Sequence, residues 1–208
     1  MRKSKSRSVE RLLRYCEFVK KRLEEGKSYV FSHELADLVG VSPAQVRQDL
    51  MVFKIVGTPQ KGYPVEEFYR VLSDHLKSGI KTKIILVGVG NLGRAILSYF
   101  IKRKPNLEIV AAFDSDPQKT ERIYSGTRIL HISKMNDFIL KEDIKVALIT
   151  VPADSAQIVA DQIIKAGIKC ILNFAPVALK TPPEVFVEQL DITLSIEKAA
   201  YFANKEAQ

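Results

Sequence analysis

Cysteine is scarce in this chain of 208 residues, and its two cysteines, Cys16 and Cys170, lie far apart, each in an apolar pattern. A disulfide or a metal-binding pair is therefore not expected, and both read as buried core thiols. Histidine is equally sparse: His33, His75 and His131 have no ligand-like spacing with the cysteines, so no metal site is expected. No apolar run approaches the roughly 20 residues that cross a bilayer. The basic N-terminus has no apolar core behind it, so neither membrane span nor signal peptide is expected, and the cytoplasm is the expected location.

What is present is an ordinary globular composition, 46% hydrophobic, in a chain long enough for one domain plus a smaller second one. Its charge is uneven. Residues 1–61 carry 13 Lys/Arg against 7 Asp/Glu, whereas the remainder carries 19 against 17, so most of the net +8 sits at the front. A basic front end suits a polyanion, given a motif to meet it.

The most informative stretch is Lys83 to Arg94, KIILVGVGNLGR. Ile84–Val87 reads as a buried parallel strand running into Gly88-Val89-Gly90-Asn91-Leu92-Gly93, which opens an amphipathic helix. In a dinucleotide-binding turn, Gly88 permits the tight turn, Gly90 lets a pyrophosphate approach the backbone and Gly93 allows close helix–strand packing, with the phosphates on the helix N-terminus. A second strand, Glu108–Phe113, ends in Asp114, placed to bond the ribose hydroxyls. An acid there repels a 2′-phosphate and no Arg follows closely, so NAD(H) is expected rather than NADP(H).

Upstream, residues 1–7 are expected to be a disordered arm. From Ser8, the spacing of Leu12, Tyr15, Cys16, Val19 and Leu23 predicts a helix ending near Gly26. Ser32 is the expected N-cap of a short helix to Val39, ended by Gly40, and Ser42-Pro43 restarts a helix over Pro43–Phe53. Leu35, Ala36, Val41, Val46 and Leu50 would face inward, a helix-turn-helix arrangement. Its second helix would project Ala44, Gln45, Arg47 and Gln48: Gln suits adenine, Arg suits guanine or phosphate, and Ser42 with the helix N-terminus suits the DNA backbone. Lys54–Pro64 predicts a β-hairpin wing with Lys61 near its tip, and Val65–Ser78 a helix ended by Gly79. The expected domains are a winged helix-turn-helix over 1–78, a doubly wound α/β Rossmann domain over 79–190 and a C-terminal dimerisation helix over 191–208, capped by Asp191. Strands at Thr127–Leu130, Lys145–Val151 and Lys169–Phe174 alternate with helices at Lys134–Leu140 and Asp154–Ala166, which demands a parallel sheet. The last helix leaves few polar faces and needs cover on two sides, which a dimer partner would supply.

The combination ELADLVGVSPAQVRQDL, VGVGNLGRAI, VAAFDSDP, ITVPADSAQ and ILNFAPV resembles the Rex family of redox-sensing transcriptional repressors, in order and over nearly the whole chain. The resemblance implies a homodimer that binds a palindromic double-stranded DNA operator, is released by NADH, and exchanges its C-terminal helix between subunits. It also implies that Gly88–Gly93 and Asp114 hold the adenosine and pyrophosphate of NAD or NADH, with Tyr99, Thr150, Val151, Pro152, Asn173, Phe174, Ala175 and Pro176 around the nicotinamide. The chain departs from the family pattern at Leu13, commonly Pro, and at Lys54 and Gln60 in the wing, usually Gly.

Two other readings compete. An NAD-dependent dehydrogenase would need a proton-transfer residue beside the nicotinamide and a substrate domain, yet the second half holds one histidine, His131, and one helix after the sheet. A DNA-binding protein whose Rossmann domain serves only dimerisation, or binds another nucleotide, has Asp114 against it.

Overall fold

The computed structural model describes residues 2–58, 60–76, 80–100 and 106–205, and the side chains of residues 2–5 and 100 are outside that description. The chain divides into two compact units, Met1–Ile80 and Lys81–Gln208. The expected boundary at 78/79 and the Gly79 terminator lie outside the described residues.

In the first unit, helix α1 (Arg2–Glu24) is followed by β1 (Tyr29–Val30), α2 (Ser32–Val39), α3 (Pro43–Met51), β2 (Tyr63–Pro64) and α4 (Val65–His75). Leu12, Tyr15, Cys16 and Val19 of α1 meet Leu35 and Ala36 of α2, Val46 and Leu50 of α3, and Phe68 and Leu72 of α4 in one apolar cluster. Periodicity fails at the edges of α1: the helix begins at Arg2 rather than after a disordered arm, and Leu23 stays partly exposed. Phe31, not Ser32, caps α2, because the Glu34 carboxylate accepts the Phe31 N–H at 2.8 Å and draws Ser32 into the first turn. Ser42 caps α3 as its sequence predicts, accepting the Gln45 N–H at 3.2 Å.

The wing is short. Strands β1 and β2 pair antiparallel, Tyr29 with Pro64 and Val30 with Tyr63, and a tight turn closes between Thr58 and Gly62. Lys61 lies exposed in that turn. After α3 the chain turns through Lys54 at φ 56°, the left-handed region that disfavours a Cβ.

The second unit runs β3 (Thr82–Val87), α5 (Asn91–Phe100), β4 (Leu107–Asp114), β5 (Arg122–Tyr124), β6 (Thr127–His131), a 3₁₀ turn (Ile132–Lys134), α6 (Met135–Glu142), β7 (Val146–Ile149), α7 (Ala153–Lys165), β8 (Cys170–Asn173), β9 (Phe186–Gln189) and α8 (Ile192–Lys205). The sheet order is β5-β6-β4-β3-β7-β8-β9, parallel except for β5 against β6. Ile85 and Val87 of β3 point into a cluster with Ala156 and Val159 of α7 and Ile139 of α6, whereas Ile84 and Leu86 pack with Leu97 of α5. A strand covered on both faces has no polar alternation to show, which is why β3 reads as a continuous apolar run. Cys170 is half-buried rather than a core thiol, and burial raises its thiol pKa. Two edge strands, β5 and β9, go beyond those predicted. Strand β5 is joined to β6 by Ser125-Gly126, both at positive φ, a two-residue hairpin turn whose Ser-Gly pair is its one sequence signal.

Replacing Lys54 by Gly relieves the left-handed backbone and should raise stability by about 1 kcal/mol. The check is the thermal unfolding midpoint of the full chain, which should rise, whereas Lys54→Ala should leave it nearly unchanged.

Candidate functional site

The order of the strands along the chain reverses at β3, which is flanked by β4 on one side and β7 on the other, and a crevice opens at the carboxyl ends of these parallel strands. It is a cleft of about 670 Å³ lined by Gly88, Gly90, Asn91, Leu92, Asp114, Thr150, Val151 and Pro152, together with Ser115, Asp116, Lys119, Ile132 and residues of α7. Eight of the fifteen residues expected around a dinucleotide thus line one cleft.

The glycines are explained by what surrounds them. Gly88 has φ 98°, and a Cβ there would meet the Thr150 backbone at 2.8 Å; a Cβ on Gly93 would collide with the Gly88 carbonyl oxygen. Around Gly90 there is open space, as a phosphate approaching the backbone requires. The Gly93 constraint comes first from the turn folding onto itself, and the Thr150 side chain at the end of β7 would also stand 3.2 Å from a Cβ there.

Two side chains hold this turn. The Thr150 hydroxyl lies 2.6 Å from the Gly88 carbonyl and 3.1 Å from that of Val87, so its proton serves the turn. Asp114 is 7% exposed, with Oδ2 accepting the Val89 N–H at 2.7 Å and Oδ1 accepting the Asp116 N–H at 2.9 Å. Each oxygen keeps a lone pair for a hydroxyl donor. Lys119 Nζ stands 3.5 Å from Asp114 and 3.6 Å from Asp116, in partial compensation of the two acids.

The remaining expected residues are not among those lining the cleft. Val89 is buried with its N–H on Asp114, and Gly93 is packed beneath the turn. Tyr99 lies two turns down α5 and is 60% exposed. Asn173–Pro176 continue from β8, one strand beyond Thr150: Asn173 opposes Ile149 in the register, and the Phe174 N–H bonds the Ile149 carbonyl. The Asn173 side chain is fully buried and committed to structure, bonding Val177 O and Gln189 Oε1, each at 2.8 Å. His131 ends β6 with Nδ1 2.9 Å from Ser133 Oγ and does not line the cleft. A wider groove in the first unit, about 1170 Å³, is lined by Val9, Leu12, Val52, Phe53 and Val71 together with Ser8, Lys54, Asp74 and His75, and holds none of the residues expected to bind the dinucleotide.

The first unit presents α3. Ser42, Ala44, Arg47 and Gln48 are exposed at its N-terminal half, and Gln45 is half-buried. Arg47 Nη1 donates to Ser32 Oγ at 3.3 Å, resting on the helix-turn-helix partner.

Sequence reading passed over Asp49. This carboxylate in α3 is 9% exposed and takes two bonds from Arg11 of α1, Nε at 2.7 Å and Nη2 at 2.8 Å, plus one from the Tyr15 hydroxyl at 3.2 Å and one from Gln45 Nε2 at 3.0 Å. Burial works to raise the Asp49 pKa, but hydrogen bonds from Arg11 and Gln45, with the Arg11 charge, outweigh it and hold the carboxyl below its usual range. The bond to Asp49 raises Arg11 in turn, against desolvation. Tyr15 is pushed up to about 12, by burial first and the Asp49 charge second. The available signal was the acid itself, spaced at i+4 from Gln45 on a helix whose neighbouring positions are apolar.

Among the described residues, no helix is long and apolar enough to cross a membrane, and no group of three His, Cys, Asp or Glu could hold a metal ion.

Because the folded-state pKa of Asp49 is depressed, its contribution to stability is full above the unfolded carboxylate value of about 4 and is lost as pH falls through the lower folded value. Denaturant titrations between pH 7 and pH 3 should show that loss, and Asp49→Asn should remove its share of the slope. Arg11→Ala, which leaves the carboxylate without its cation, should cost about 2 kcal/mol at pH 7, less than for a fully buried pair because Arg11 is 19% exposed.

Residues 80–177 match the family model described as CoA binding domain, and residues 6–50 match that of a putative DNA-binding protein N-terminus. The redox-sensing transcriptional repressor Rex of Listeria welshimeri is 36% identical over 94% of this chain and 91% of its own length, and that of Lactobacillus gasseri 35% identical over 98% and 94%. Among solved structures, RSP, a Rex-family repressor, in complex with β-NAD+ and operator DNA superposes with a TM-score of 0.89 at 32% identity, covering 97% of this chain and 93% of RSP. RSP in complex with β-NADH gives 0.83 at the same identity, covering 97% and 95%. With a glycine turn and buried acid at the head of a parallel sheet, a capped helix-turn-helix earlier in the sequence, and this similarity along nearly its entire length, the chain belongs to the Rex family of redox-sensing transcriptional repressors.

Proposed function

We propose that this chain is a DNA-binding transcriptional repressor that senses the NADH/NAD+ ratio, binding a palindromic operator as a homodimer and releasing it when NADH binds. The observation that carries the reading is the presence, in one chain, of a helix-turn-helix with an exposed polar N-terminal half and a glycine-walled cleft ending in Asp114. The relatives are named repressors, and RSP binds β-NAD+ with operator DNA in one structure and β-NADH in another. Such a protein works in the cytoplasm, where operator and dinucleotide pool meet, and it turns over no substrate.

The residues fit a dinucleotide. The N–H groups at the head of α5 and the open side of Gly90 would take the pyrophosphate, and the remaining lone pairs of Asp114 the adenosine ribose hydroxyls. Coenzyme A shares that adenosine and pyrophosphate but carries a 3′-phosphate, which Asp114 repels; the bare-hydroxyl ribose of NAD(H) suits it. These contacts treat NAD+ and NADH alike and cannot switch anything. Discrimination falls to the ring end, formed by Thr150–Pro152 and by Asn173–Pro176 on the next strand. NAD+ brings a cationic ring and NADH a neutral one, and an apolar wall such as Phe174 and Pro176 favours the neutral form because desolvating a cation costs more.

Ala44, Gln45, Arg47 and Gln48 are the residues that would enter the major groove, with Ser42 at the helix N-terminus holding the DNA backbone and Lys61 of the wing reaching the flanking backbone. Helix α8 supplies the dimer surface: Ile192, Leu194, Ile196, Tyr201 and Phe202 are each more than half exposed. A face of this kind needs a partner, and exchange with a second copy provides one.

With an operator duplex at fixed salt, fluorescence anisotropy should show release by NADH at far lower concentration than by NAD+, and Asp114→Ala should weaken both dinucleotides while coenzyme A fails to compete. Equal release by the two redox forms would refute sensing. Leu194→Asp with Ile196→Asp should halve the mass seen by light scattering and lower operator affinity; an unchanged mass would remove α8 from the interface.

A further inference from the structure

Gln45 is expected to touch DNA, yet its side-chain amide is not free to turn. Its Nε2 donates to Asp49 Oδ1 at 3.0 Å, one helical turn along α3, and its own backbone N–H is fixed on Ser42 Oγ. An unrestrained glutamine amide presents either its oxygen or its nitrogen by rotating about the last torsion, so it can accept from one base or donate to another. A carboxylate can only accept. Asp49 is held ionised and in place by both nitrogens of the Arg11 fork and by the Tyr15 hydroxyl, so Gln45 can satisfy it only with nitrogen inward and Oε1 outward.

We infer that the Arg11–Asp49 pair fixes the polarity of the Gln45 amide, making α3 select a base that offers a major-groove amino group, adenine or cytosine, at the position Gln45 faces. Guanine O6 and N7 and thymine O4 present only acceptors there, so they can take the second Nε2 proton but leave Oε1 without a donor. Gln45 is the reading residue, and Asp49 is a positioning residue that acts through it. The remaining Nε2 proton is compatible with this choice, since adenine offers N7 beside its amino group. This inference rests on the reading of α3 as the DNA-contacting helix.

Selection of the full chain against a pool of palindromic duplexes with randomised half-sites tests it. The wild type should enrich adenine or cytosine over guanine or thymine by about tenfold at one position per half-site. Gln45→Ala, which leaves the Arg11–Asp49 pair intact, should erase the preference at that position alone. Asp49→Asn, whose amide can donate as well as accept, should relax the same position to about twofold while the rest of the motif persists. The double substitution Asp49→Asn with Gln45→Glu reverses the internal bond, the introduced amide now donating to the introduced carboxylate, and again leaves an oxygen outward; it should restore the preference. Circular dichroism melts establish that each variant is folded, and the Gln45→Ala and double variants decide the matter if Asp49→Asn is not. A loss of affinity that is uniform across sequences in Asp49→Asn, or an unchanged motif in Gln45→Ala, overturns the inference while leaving DNA binding intact. Failure of the wild type to enrich any sequence overturns the reading of α3 itself.

Discussion

The second unit is built around one close approach: the turn from β3 into α5 doubles back until the Gly93 backbone touches the Gly88 carbonyl, with the Thr150 backbone against the other side of Gly88. Side chains are excluded from that contact, so it can be held only by hydrogen bonds from outside. Thr150 at the end of β7 supplies a hydroxyl and Asp114 at the end of β4 a carboxylate. The parallel register places both strand ends level with the turn, since Val87 opposes Phe113 on one side and Ile149 on the other. A packed core is therefore a condition of the cleft: a shift of either strand by one residue would move Asp114 or Thr150 to the opposite face.

The first unit solves its positioning problem by different means. Its core is apolar, but apolar packing is non-directional and tolerates small rotations of a helix about its own axis. The Arg11 fork on Asp49 does not, because two parallel N–H···O bonds fix angle as well as distance. Such a buried pair adds little net stability relative to apolar residues of equal volume, and its value lies in the uniqueness of the arrangement. A helix that reads bases in a groove needs that uniqueness, since its contacts depend on where individual atoms point.

Much of this was legible in the chain. The runs Ile84–Val87 and Lys145–Val151, the glycine spacing and Asp114 announce the parallel sheet and its crevice because buried strands and tight turns constrain residue type strongly. Ser42-Pro43 announces α3 for the same reason, as a cap demands a short polar side chain. What escaped was whatever depends on tertiary partners. Strands β5 and β9 are short edges with little burial to impose a pattern, Phe31 replaces Ser32 as cap through the bond its N–H donates to Glu34, and Asp49 reads as one more surface acid until Arg11 is brought opposite it. Tyr99 and Asn173–Pro176 came from resemblance rather than spacing, and neither lines the cleft within one chain.

The proposed switch has a quantitative requirement that the cleft alone does not meet. To move an operator complex from 99% bound to 99% released, a ligand must favour the released form by about 10⁴-fold. Contacts shared by NAD+ and NADH cannot tell the two redox forms apart, so in the proposed switch the glycine turn and Asp114 would set the concentration at which the protein responds, and the ring end would set which form releases the operator. The exposed apolar face of α8 bears on the same requirement. In a dimer both chains can change together, so a preference of about 100-fold per ring, within reach of the cost of desolvating one positive charge, multiplies to the whole. A monomer with the same cleft would have to obtain the full factor from a single ring, and a small difference in cofactor charge would then move the operator only part of the way.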